Sequence, residues 1–150
     1  MKTKVLTGLA VVAGLAVAAS SLAVAQDVIA KRKELMKGNG AAAKAGSEMV
    51  QGKAPFDAAK AATLLTAASK GWAEFAKLFP DTSKTGGETT ASPKIWETRA
   101  DFEAKGVVMA AKAAAASAAA AKGPDAFKTA FGEFTATCTG CHDAYRIPKM

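Results

Sequence analysis

Residues 124–145 read Pro-Asp-Ala-Phe-Lys-Thr-Ala-Phe-Gly-Glu-Phe-Thr-Ala-Thr-Cys-Thr-Gly-Cys-His-Asp-Ala-Tyr, and the spacing of their large side chains decides the architecture. Phe127, Phe131, Phe134, Cys138, Cys141 and Tyr145 follow one another at steps of four, three, four, three and four. With 3.6 residues per turn, such steps place all of them on one face of an α-helix. Pro124 suits the first helical position, where its missing N–H leaves no bond unmade, so Gly123-Pro124 marks the helix start. The aromatic stripe runs into Cys138-Thr139-Gly140-Cys141-His142, which uses both cysteines and the one histidine of the chain. Cys-x-x-Cys-His reads as a c-type haem attachment site: the thiols add across the haem vinyl groups and the adjacent imidazole ligates the iron. If this stretch is helical, Cys138, Cys141 and His142 project from one face. A thioredoxin-like redox pair would expect a strand leading into the motif, which the sequence lacks. A structural zinc site wants four Cys or His ligands, and this chain has three such residues in all.

Upstream, the chain is helical in character and is divided by a few Gly and Pro positions into further blocks. The first runs from about Asp27 to Gln51 and carries Val28, Ile29, Arg32, Leu35, Met36, Met49 and Val50, with Gly38-Asn39-Gly40 weakening its middle. After Gly52-Lys53-Ala54-Pro55, Leu65, Ala68, Trp72, Phe75 and Phe79 recur at steps of three and four, a core stripe. Residues 80–93 are rich in Thr, Ser and Gly without periodic apolar residues and read as a surface crossover. Ser92-Pro93 then reads as N-cap and first residue of a third helix, with Ile95, Trp96, Phe102, Met109 and an alanine run from Ala110 to Ala121. Four amphipathic helices with a long second connection describe an antiparallel four-helix bundle, which builds cofactor sites from facing helices.

At the other end, Lys2 and Lys4 precede an apolar run from Val5 to Ala19, and Ala23-Val24-Ala25 supplies the small-x-small pattern of a secretory cleavage site. The expectation is a leader over residues 1–25, a domain over residues 26–150 beginning at Gln26, and export to the periplasm. The uninterrupted apolar stretch is shorter than a membrane-spanning helix needs, so an integral membrane protein is not expected. Removing Lys2 and Lys4 lowers the formal charge from +7 to +5. With no clustered basic stripe there is no case for nucleic acid. A mildly basic surface suits an acidic redox partner, periplasmic or membrane-bound.

Four helices with Cys-x-x-Cys-His close to the C-terminus resemble the class II c-type cytochromes, the cytochrome c prime superfamily. The resemblance covers residues 26–150. It rests on Arg32-Lys33-Glu34-Leu35-Met36-Lys37, Lys77-Leu78-Phe79-Pro80, Ser92-Pro93-Lys94-Ile95-Trp96 and Cys141-His142-Asp143-Ala144-Tyr145-Arg146. It implies one covalent haem c on Cys138 and Cys141 with iron on His142, in a monomer or homodimer. Met36 falls where a low-spin branch supplies a methionine as sixth ligand, and several of these stretches resemble that branch, which implies a single-electron carrier rather than an enzyme. The alternative is an open sixth position that binds nitric oxide or carbon monoxide, as in the cytochromes c prime, a feature of which is Arg32 four residues before Met36. Arg32 is also a candidate partner for a haem propionate, with Arg99 and Arg146 behind it, because guanidinium suits planar carboxylates. Met49 and Met109 read as packing residues, and Trp72, Trp96 and Phe134 as core that borders the haem. Nothing in the sequence suggests catalytic residues.

Overall fold

The computed structural model describes residues 9–85 and 87–148, with side chains from residue 24 onward. Its helices are α1 (Leu9–Val50), α2 (Ala58–Phe75), the single turn α3 (Lys94–Glu97), α4 (Arg99–Ala120) and α5 (Pro124–Tyr145). The four long helices form the expected all-α bundle, and no strand occurs among the described residues. Residues 1–8 of the expected leader lie outside the described residues, and residues 9–25 continue α1 without a break.

Each boundary has a local cause. The carboxylate of Asp57 caps α2 by accepting from the Lys60 N–H at 2.9 Å. Gly52 (φ 69°) and Gly123 (φ 107°) turn the chain after α1 and α4 with backbone angles that side chains resist. Pro124 opens α5, as its sequence position implied.

Two expectations are corrected. Gly38-Asn39-Gly40 does not weaken α1, which is unbroken to Val50, because buried Ile29, Ala42 and Met49 on either side anchor the helix. A glycine costs only about 1 kcal/mol of helix propensity, less than such packing supplies. The third helix does not run through from Pro93 but breaks at Thr98 (φ −125°, ψ 52°). The Thr98 hydroxyl bonds back to the Lys94 carbonyl at 3.0 Å, a local alternative to the helical ladder that bends the chain. Ser92 still acts at the helix start, its Oγ accepting from the Lys94 N–H at 3.3 Å.

Within the bundle, α2 packs chiefly on α4, α4 on α5, and α1 on α2, while α1 and α5 meet over a short stretch. Phe102 is the hub of one core cluster, with ring centroids 4.9 Å from Phe79, 5.3 Å from Tyr145 and 5.5 Å from Trp72. A second cluster joins Phe56, Phe127, Phe131 and Phe134. The alanine run lets helices approach closely, with Ala113, Ala116 and Ala120 buried. The crossover is not purely irregular: a 3-10 turn spans Asp81–Ser83. Its far end is fastened to the end of α5 by Ser92 N–H to Tyr145 carbonyl (2.9 Å) and Ile147 N–H to Thr90 carbonyl (2.8 Å).

Candidate haem site

On α5, Cys138 and Cys141 are half-buried free thiols and His142 is exposed one residue further on. Burial raises the pKa of both thiols, so they stand protonated at neutral pH. His142 is shifted the other way, first by burial and then by the positive charge of Arg146, which favours the neutral imidazole that a metal ligand must be. No group of three or more His, Cys, Asp or Glu able to hold a metal occurs among the described residues. Two free thiols and an imidazole on one turn of helix fit a macrocycle that brings its own nitrogen ligands.

The facing helix supplies a matching surface. Ala25, Ile29, Arg32, Ala42, Gly46 and Met49 form the buried stripe of α1, and Met36 and Asn39, on the same stripe, are only half-buried. On α5 the stripe likewise passes from buried Phe127, Phe131 and Phe134 to half-buried Cys138 and Cys141, then back to buried Tyr145. Met36 and Asn39 border a narrow cleft with Leu35, Gly71, Trp72, Phe75 and Met109, with about 10 Å³ of free space, scarcely room for one water. No residue of α5 lines that cleft, so Met36 and His142 belong to separate surfaces in this structure.

Arg32, one turn before Met36, provides an independent test of fit. Its side chain is 5 % exposed, yet Nε and Nη1 are buried without a partner. Nη2 donates to the Ser83 carbonyl at 3.1 Å, and the guanidinium lies 4.4 Å over the Phe79 ring. Burial lowers its pKa to about 10, so the group remains a cation at neutral pH. A buried cation with idle N–H groups calls for an anion, and a haem propionate is a planar carboxylate of the right kind. The residues present fit haem c.

The weaker candidates fall elsewhere. Arg99 spends its donors on the carbonyls of Phe79 (3.1 Å) and Ala76 (2.6 Å) and on Glu103 (2.6 Å), fastening the end of α2 rather than waiting for a propionate. Arg146 is exposed beside His142 and acts on it through charge. The Trp96 indole N–H donates to the Phe79 carbonyl at 3.0 Å, and Phe134 is fully buried core. Met109, read as packing, shares the cleft with Met36, as does Trp72. Sequence reasoning missed Asn39, the one polar lining residue, although continuing the α1 steps of three and four from Arg32 through Met36 reaches it.

The family profile described as Cytochrome C' matches residues 27–146. The chain belongs to the cytochrome c′ family. A cytochrome c′ of Rhodopseudomonas palustris is 42% identical over 142 residues, covering 94% of this chain and 97% of that protein. Cytochrome c-556 of the same organism is 31% identical over 141 residues, covering 91% of this chain and 94% of its own length. A nitric oxide complex of a cytochrome c prime variant from Alcaligenes xylosoxidans superposes with a TM-score of 0.73 at 28% identity, covering 83% of this chain and 97% of that one. The cofactor of the cytochrome c′ family is one covalent haem c with its iron. The low-spin His/Met assignment expected from the sequence is not supported: the family that matches is that of the cytochromes c′. Among the described residues no helix is long and apolar enough to cross a membrane.

Proposed function

We propose that this cytochrome c′ homologue is a periplasmic haem protein that holds iron through His142 and receives a diatomic gas, nitric oxide or carbon monoxide, on the face turned toward α1. Haem held by the Cys138 and Cys141 thiols and the His142 imidazole would supply a redox-active iron able to take a diatomic ligand. The chain's own part is to position and to exclude. The helical turn 138–142 orients two thioethers and one imidazole from a single face. Arg32 neutralises a propionate at the buried edge. Leu35, Met36, Trp72 and Phe75 border an apolar cleft beside α1 that would keep bulk water away, and the observation that carries this reading is the cytochrome c′ family match over residues 27–146 together with the Cys-x-x-Cys-His turn on α5. The 42% identity to a cytochrome c′ and the fold shared with a nitric oxide complex support it.

A second reading rests on Met36, whose thioether lies at the half-buried point of the α1 stripe and borders the same cleft. Thioether sulfur is a known axial ligand of haem iron that raises the potential, which suits a single-electron carrier passing electrons between periplasmic or membrane-bound partners. Absorption spectra of the purified holoprotein decide between the two. A high-spin ferric spectrum with immediate carbon monoxide binding on reduction supports gas binding, and a low-spin spectrum that becomes high-spin in Met36→Ala makes Met36 the sixth ligand. Protein that remains colourless when produced with haem-attachment machinery overturns both.

A further inference from the structure

Tyr145 lies three residues after His142 and four after Cys141, on the next turn of the same face of α5, and is 3 % exposed. Its hydroxyl donates to Asp101 Oδ2 at 2.5 Å and lies 2.9 Å from the Thr98 hydroxyl. Both partners stand at the α3–α4 junction, where the break at Thr98 swings them toward α5. The ring packs edge-on against Phe102, and the Tyr145 carbonyl accepts from the Ser92 N–H. The last turn of α5 is thus held by three separate elements: the junction, the core and the crossover. The haem motif runs into this turn, which begins with His142. A phenol–carboxylate bond of this length is charge-assisted and directional, stronger than a neutral hydrogen bond.

We infer that Tyr145, held by Asp101 and Thr98, is the positioning residue for the proximal imidazole: it fixes the rotation of the α5 turn that presents His142, and so sets the direction and strain of the iron–imidazole bond. The physical reason is rigidity. A helix end frays unless its final turn is fastened, and His142 is an exposed side chain in that turn whose neighbours Asp143 and Arg146 are exposed as well. This inference rests on His142 as proximal ligand but not on which group, if any, occupies the opposite position.

The test compares holoproteins by the iron–imidazole stretching band in resonance Raman spectra of the ferrous form and by midpoint potential. Tyr145→Phe keeps the ring against Phe102 and removes the hydroxyl alone. It is expected to retain covalent haem while the band shifts and broadens and the potential moves. Asp101→Asn still accepts from the phenol and is expected to restore a band close to wild type. Should Tyr145→Phe yield no holoprotein, Asp101→Ala, which removes the acceptor from a half-exposed position, takes its place under the same criteria. An unchanged band and potential in Tyr145→Phe overturn the inference even if the melting temperature falls, because the fastening is then only structural. Asp101→Asn shifting as far as Tyr145→Phe also overturns it, since carboxylate charge and not position is then responsible. A wild-type ferrous protein with bound haem but no iron–imidazole band instead defeats the assignment of His142, a separate failure.

Discussion

Replacing Arg32 by methionine should have opposite consequences in the haem-loaded and haem-free chains. In the structure the guanidinium is a buried cation with two idle N–H positions, and the desolvation that lowers its pKa to about 10 costs about 3 kcal/mol. Set against this are its stacking over Phe79, worth about 1–2 kcal/mol when desolvated, and its bond to the Ser83 carbonyl, worth about 1 kcal/mol. Methionine, of similar length and without charge, should therefore leave the haem-free chain as stable or slightly more stable. With haem attached, the same change strands a buried propionate without its cation, which costs about 3–5 kcal/mol. At roughly 3–4 °C per kcal/mol for a chain of this size, the holoprotein should melt roughly 10–20 °C lower. Urea and thermal denaturation of Arg32→Met holoprotein provide the measurement, with the Cys138→Ser/Cys141→Ser chain as the haem-free background. Equal destabilisation of both forms would refute the reasoning, because Arg32 would then be a packing residue. A holoprotein as stable as wild type would equally show that no propionate meets it.

Gly106→Ala should destabilise by about 1–3 kcal/mol despite better helix propensity, since the new Cβ overlaps the Trp72 indole and forces it to shift, whereas Gly38→Ala, with open space around it, should stabilise by up to about 1 kcal/mol; urea titration separates the two. For the haem-free chain, His142 has a folded pKa below its ordinary 6.5, so the unfolded state takes up the proton first. Stability contributed by the neutral imidazole is present above pH 6.5 and lost as pH falls through that value, which melting curves between pH 7.5 and 5 should register. Both thiols carry pKa values raised by burial, so at pH 8.5 the folded haem-free chain should react with iodoacetamide more slowly than the urea-unfolded chain, as mass spectrometry would record.

The helical frame and the haem motif were legible because both are local. Steps of three and four along α5 need only the helix period to place Phe127 through Tyr145 on one face, and Cys-x-x-Cys-His carries its chemistry in adjacent residues. Turn positions such as Gly123-Pro124 were legible for the same reason, since backbone angle is a property of the residue itself. Thr98 was not: the break there is joined by the Tyr145 hydroxyl, which reaches it from α5, 47 residues further along the chain. Arg99 and Arg32 look alike in sequence as cations in amphipathic helices. Only the packing spends one on carbonyls just beyond α2 and buries the other with Nε and Nη1 idle, because hydrogen-bond partners distant in the chain are chosen by the bundle geometry. The same holds for the face opposite His142. Sequence alone determined that two thiols and an imidazole share one turn of helix, while the tertiary structure decided that Met36, Asn39 and Met109 meet at one cleft, since three helices must pack before residues so far apart in the chain can share a surface.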